Sequence, residues 1–315
     1  MTSFQSILTL FFKKRGVYIL QLTLTVLIFG VAVNQVKDLF SSQEVVQIIT
    51  TGFNHRPFLI VLMTLISGIN WGIEAIKWLV VLPKDNKVNF LQAYRSVLVG
   101  LGMSLLMPRL AGESIGRYTS HEGEKKDVVS ALFLTKVAQT IITFFFGIIG
   151  VYYFKSILFS WIDVPSYWVL FLFLLLFSVV FFLRKMIIDF VLTSVYFESF
   201  RQINRRKGVI LLMFSFLRYL TFFIQFYIMV LFVDTIVEPF ELFFGLSALY
   251  FLRMGTISIN LVIDLSVRFA TGLLVFTALG LLADVDVVIA IFSLVWLFNV
   301  VFPSLIGGLL ILKKK

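Results

Sequence analysis

The feature that most constrains this chain is a series of uninterrupted apolar stretches, each about as long as a bilayer is thick. A helix needs about 20 consecutive apolar residues to cross the hydrocarbon core. Six stretches meet that length, near 16–36, 57–82, 128–154, 166–183, 209–233 and 286–311. Such segments must satisfy every backbone donor and acceptor internally, which in lipid leaves the helix as the natural solution. With 60% of residues hydrophobic, only 14% charged and 37 Phe among 315 residues, too little polar surface remains to cover a water-soluble globule. The expected fold is an all-α membrane protein, a polytopic helical bundle.

Two apolar regions, 88–120 and 239–283, are broken by polar and charged residues between Met103 and Arg117 and between Arg253 and Arg268. The positive-inside rule fixes how often each crosses. Lys13, Lys14 and Arg15 near the N-terminus, six basic residues between Arg184 and Lys207, and Lys313 to Lys315 at the C-terminus mark cytoplasmic segments. The stretch around Asp234, Glu238 and Glu241 has no basic residue and belongs outside. Each broken region must then cross an even number of times, as a re-entrant hairpin or as a pair of spans. Irregular backbone at membrane depth is tolerated where it is buried or lines a wet cavity, which favours hairpins converging inside the bundle. The expectation is six spans plus two interrupted or re-entrant hairpins. The first span, preceded by its basic cluster, reads as a retained signal anchor with both termini cytoplasmic.

Sliding the chain on itself by about 150 residues superposes the two broken regions. Glu113 and Arg117 fall on Asp264 and Arg268, and Arg109 falls on Asn260. In both regions an acid precedes an Arg by four positions, so the two share a helix face. Because the ends of the first region are inside and those of the second outside, the halves form an inverted pseudo-repeat, the symmetry of many secondary transporters. The organisation expected is a signal-anchor span and outer loop over 1–56, a first repeat half over 57–160, a linking span and basic segment over 161–208, and a second half over 209–315.

Charge inside the membrane is costly and marks function or pairing. Asn70, Trp71, Glu74, Lys77 and Trp78 recur at helical spacings in the second span. Arg95, Arg109, Glu113 and Arg117 follow in the first broken region, and Arg218, Arg253, Asn260, Asp264 and Arg268 stand in the second half. The bland reading makes these structural ion pairs, with Lys77 and Arg117 reaching the cytoplasmic surface. Against it, bases outnumber acids, and an excess of Arg calls for an anion; the planar guanidinium suits phosphate. Asn70, Glu74, Arg95, Arg109, Glu113, Arg117, Arg253, Asn260, Asp264 and Arg268 are therefore the candidate headgroup-binding residues, with anionic membrane lipids as the partner.

Other classes have weaker signals. The net charge of +10 is spread between apolar segments rather than gathered on one face, which argues against nucleic acid. The chain has no Cys, and His121-Glu122-Gly123-Glu124 lacks a second His nearby, so neither a metal nor any other cofactor is expected. Asp284 with Asp286, and Glu238 with Glu241, are acid pairs in an outer loop rather than a catalytic constellation, so no enzymatic activity is expected.

The run Leu106-Met107-Pro108-Arg109-Leu110-Ala111-Gly112-Glu113 with Arg117, following a Trp-bearing span, resembles the transmembrane region of lysylphosphatidylglycerol synthases. The resemblance runs from about Arg56 to the C-terminus. It implies a flippase-like bundle of two pseudo-symmetric halves with re-entrant helices that moves polar lipids between leaflets. The soluble aminoacyl transferase domain of the fused relatives has no counterpart in these residues, so the resemblance does not imply lysyl transfer. The second half departs from the pattern, carrying Asn260, Asp264 and Arg268 where many relatives have a Pro- and Gly-rich stretch ending in Gly and Glu. A structural or accessory protein of envelope lipid metabolism, or a small-solute or ion transporter, are the alternative readings.

Overall fold

The computed structural model describes residues 42–82, 88–104, 109–118, 125–154, 204–254, 261–281 and 284–312. The spans expected at 16–36 and 166–183 and the His121 motif lie outside these residues. The described elements are α1 (Gln43–His55), α2 (Pro57–Val81), α3 (Phe90–Met103), α4 (Arg109–Tyr118), α5 (Lys125–Tyr153), α6 (Arg205–Phe232), α7 (Pro239–Arg253), α8 (Leu261–Ala278), α9 (Val285–Trp296), a π-helical turn (Leu297–Val301) and α10 (Phe302–Leu312). No strand occurs among the described residues.

Local chemistry explains where these helices start. Asn89 and Gln92 form a reciprocal capping box on α3, with Asn89 Oδ1 accepting from the Gln92 N–H at 2.9 Å and Gln92 Oε1 from the Asn89 N–H at 3.0 Å. Asn204 caps α6 through the Lys207 N–H and Asp284 caps α9 through the Asp286 N–H. Pro57 and Pro239 open α2 and α7 at the first turn, where the missing N–H is not needed.

Among the described residues, four helices are long and apolar enough to cross a membrane: Pro57–Val81, Val128–Tyr153, Arg205–Phe232 and Val285–Ile311. They coincide with four of the expected spans. Phe58, Val61, Leu65, Phe145, Val209 and Leu309 are large, apolar and exposed on them, a surface suited to acyl chains rather than water. The chain is a helical membrane protein.

The first broken region is a pair of short helices. At 14 and 10 residues, α3 and α4 reach about 21 and 15 Å, less than the roughly 30 Å of hydrocarbon. They run antiparallel in backbone contact: a Cβ on Gly116 would collide with the backbone of Gly100, and one on Gly112 with that of Ser104. Only glycine at these positions lets the two helices lie so close.

The packing between elements is reciprocal. Helix α3 lies antiparallel against α10, with Gly102 meeting Gly307 and Gly308 and Arg95 reaching the Leu310 carbonyl. Helix α7 lies antiparallel against α5, with Gly147 meeting Phe251 and Gly150 meeting Phe244 and Ala248. Helices α2 and α6 cross one another antiparallel at the centre, from Glu74 against Arg218 to Arg56 against Asp234. Helix α3 thus packs on the C-terminal α10, and α7 packs on α5.

Candidate functional site

The α2–α6 crossing gathers the buried charge. The Glu74 carboxylate receives three cations: Arg117 Nη2 at 3.0 Å on Oε1, and Arg218 Nη1 at 2.9 Å and Lys77 Nζ at 3.2 Å on Oε2. Glu113 receives Lys136 Nζ from α5 at 2.6 Å, with Arg117 Nη2 at 3.9 Å. Lys77 also donates to Gln139 Oε1 at 3.1 Å. Glu74, Lys77, Arg117 and Arg218 are all at least 96% buried, so these ions interact in a medium that screens them poorly. Lys77 and Arg117 are not the exposed, outward-reaching side chains that snorkelling would make them: their helices bury both inside the bundle, against the Glu74 carboxylate.

Three aromatic faces support the guanidinium groups. Arg218 stands over Trp71 at 5.0 Å and Phe222 at 5.4 Å, and Arg117 over Trp78 at 5.9 Å. The Trp residues, spaced at helical intervals around Glu74, thereby form walls of the charged site.

Beside the charges, Asn70 ties three elements together. Its Nδ2 donates to Asn299 Oδ1 at 2.8 Å, and its Oδ1 accepts from Arg218 Nε and Thr221 Oγ1, each at 3.2 Å. Asn299 lies in the π-helical turn, whose cause is four residues on. Pro303 has no N–H to give the Asn299 carbonyl, and the Phe302 N–H bonds Leu297 instead of Phe298. Two carbonyls are freed at membrane depth. Trp71 Nε1 donates to that of Asn299 at 2.9 Å and Ser67 Oγ to that of Phe298 at 2.7 Å, so α2 satisfies what the turn leaves open.

Among the described residues the cluster holds Lys77, Arg117, Lys136 and Arg218 against Glu74 and Glu113, an excess of positive charge. Arg117 Nε and Nη1 are buried and have no hydrogen-bond acceptor among those residues. The arrangement can bind an anion through charge-assisted hydrogen bonds.

Of the residues expected at a headgroup site, Asn70, Glu74, Glu113 and Arg117 are brought together. Arg95 is exposed and turned to α10, donating to the Leu310 carbonyl at 3.5 Å. Arg253 and Arg268 are partly buried, at the end of α7 and within α8. Asn260 and the side chains of Arg109 and Asp264 lie outside the described residues. Lys77 and Arg218 were legible as membrane charges but not as Glu74 ligands. Lys136 was missed, although Lys136, Gln139 and Thr143 recur at helical spacing along α5 and form a polar stripe. Asn299 was signalled only by its position four residues before Pro303.

A separate cleft of about 620 Å³ opens at the other end of α2 and α6, lined among others by Glu44, Thr51, Gly52, Arg56, Phe232 and Asp234. Arg56 is paired there with Asp234 and with the Leu231 carbonyl. The charge cluster does not line this cleft.

Fold and site together define a helical membrane protein with a buried, cation-rich polar centre. Comparison with protein-family models, with characterised proteins and with solved structures yields no match for this chain.

Proposed function

We propose that this protein moves phosphate-bearing polar lipids between leaflets, as the resemblance to the transmembrane region of lysylphosphatidylglycerol synthases implies. The observation that carries the reading is the cation excess around Glu74, with two buried Arg117 nitrogens that have no acceptor among the described residues. A phosphate supplies both the missing charge and the missing acceptors, while acyl chains remain in the bilayer. In this reading Glu74 and Glu113 hold the cations until a headgroup replaces them.

The architecture that goes with it is six spans and two re-entrant hairpins in a bacterial plasma membrane, with both termini cytoplasmic and the halves related by an inverted repeat. Support for the repeat comes from the reciprocal packing of α3 on α10 and α7 on α5. At the central crossing, Asn70 and Thr221 bond across a separation of 151 residues. Two residues equivalent under a repeat of that length meet where a pseudo-two-fold axis would pass.

A scaffold role in an accessory membrane protein is the second reading, favoured by the occupation of both Glu74 oxygens. Vesicles containing the purified protein and fluorescent anionic lipids separate the two. Parent protein should equalise label between leaflets, and Arg117→Gln, Arg109→Gln and Arg268→Gln should slow it. Undiminished movement in all three variants refutes the headgroup site. No movement of any lipid by the parent, with or without a proton gradient, favours the scaffold or a small-solute transporter.

A further inference from the structure

The described polar groups do not stop at the charge cluster. Helices α2 and α6 run antiparallel, and their seam leads from Glu74 and Arg218, through Asn70 and Thr221, to Arg56 and Asp234 at the cleft. Along α6 the residues Arg218, Gln225 and Phe232 are each seven apart, close to two helical turns, and so share one stripe. Arg218 ends that stripe in the charge cluster and Phe232 ends it in the cleft wall. Gln225 is midway, about 10 Å along the helix from either.

Gln225 is fully buried, and neither its amide nitrogen nor its amide oxygen has a hydrogen-bond partner among the described residues. Its neighbours on α6 differ: Arg218, Tyr219 and Thr221 are all bonded, Tyr219 through Ser247 Oγ at 2.7 Å. A buried amide without partners destabilises the fold, and its apolar isostere Leu would avoid that loss. A donor and an acceptor kept together at membrane depth, between an anion-binding cluster and an open cleft, suit a passing polar group.

We infer that the α2–α6 seam is the headgroup's path between the charge cluster and the Asp234 cleft, with Gln225 the hydrogen-bonding station between them. This rests on the lipid-translocation reading above and extends it. The ligand class is a phosphate-bearing headgroup whose oxygens accept from the Gln225 amide nitrogen and whose hydroxyl or ammonium groups donate to its oxygen. The cluster reads the charge and Gln225 reads the polar remainder.

The chain has no Cys, so single cysteines report directly on water access. Gln225→Cys and Phe232→Cys, in vesicles, are treated with a charged, membrane-impermeant methanethiosulfonate, with Ile224→Cys as the lipid-facing control on the 39% exposed side of α6. Gln225→Cys should react at least about tenfold faster than Ile224→Cys, a difference of about 1.4 kcal/mol in barrier. Replacing zwitterionic by anionic phospholipid should slow that reaction. Equal rates at 224 and 225 overturn the path. The second variant, Gln225→Leu, should lower lipid movement about tenfold while leaving the thermal midpoint unchanged or higher. Lipid movement as fast as the parent's overturns the path while leaving the charge cluster's role intact. If the parent moves no lipid, the translocation reading fails and the cysteine rates still decide whether the seam is wet.

Discussion

Glu74→Gln tests whether the buried carboxylate organises the centre. The substitution is nearly isosteric, so it removes charge and leaves packing in place. It strips the counter-ion from Lys77, Arg117 and Arg218, which approach at 3.2, 3.0 and 2.9 Å and are almost wholly buried. Removing one partner of a buried ion pair costs about 3–5 kcal/mol because the other charge is left uncompensated. The retained amide oxygen still accepts one or two hydrogen bonds, which places the expected loss at the lower end, about 3 kcal/mol. With about 2–4 °C per kcal/mol, the midpoint should fall by roughly 6–12 °C. The assay is thermal unfolding of the detergent-solubilised protein followed by tryptophan fluorescence, since Trp71 and Trp78 stand beside the affected guanidinium groups. Added inorganic phosphate should recover part of the loss if the cluster accepts an anion. The combined Glu74→Gln, Arg218→Gln variant should lose less than the sum of the two singles, because the second change removes a charge that the first left unpaired. A midpoint within about 2 °C of the parent would show that the three cations do not depend on Glu74 and would refute the reasoning.

Three further outcomes follow from the same structure. Trp71→Phe removes the donor to the Asn299 carbonyl and should cost about 1–3 kcal/mol; in a Pro303→Ala background, where residue 303 regains its N–H, the cost should shrink, as a double-mutant cycle on thermal unfolding would reveal. Gly116→Ala drives a Cβ into the Gly100 backbone and should lower stability by about 1–3 kcal/mol, with Gly116→Leu abolishing a monodisperse protein on size exclusion. The Glu44 carboxyl is held above its ordinary range by its hydrogen bond with Asp286 and by the negative charges of Asp286 and Asp284. Its protonated form is favoured in the folded state, so its contribution to the docking of α1 is present at low pH and lost as pH rises through the raised value. Amide protection over residues 43–55, taken relative to intrinsic exchange, should fall between mildly acidic and neutral pH, and Glu44→Gln should flatten that dependence.

The spans near 57–82, 128–154, 209–233 and 286–311 were legible because hydropathy over a turn-spanning window is a local property and lipid makes the helix obligatory. The break between Met103 and Arg117 was legible for the same reason, since polar residues and Pro108 interrupt an apolar run. That the membrane charges concern one another was also readable, from the cost of leaving any of them alone. Which of them meet was not. Glu74 is separated from Arg117 by 43 residues and from Arg218 by 144, and no local pattern encodes a contact between different helices. Tertiary packing alone decides that Arg95 turns outward, that Lys136 joins Glu113, and that Trp71 and Ser67 serve the carbonyls opened before Pro303. Sequence determined the solvent this chain requires and the helices it forms there. The crossing of α2 and α6, set by side-chain fit and by the need to pair buried charge, decided what those helices enclose.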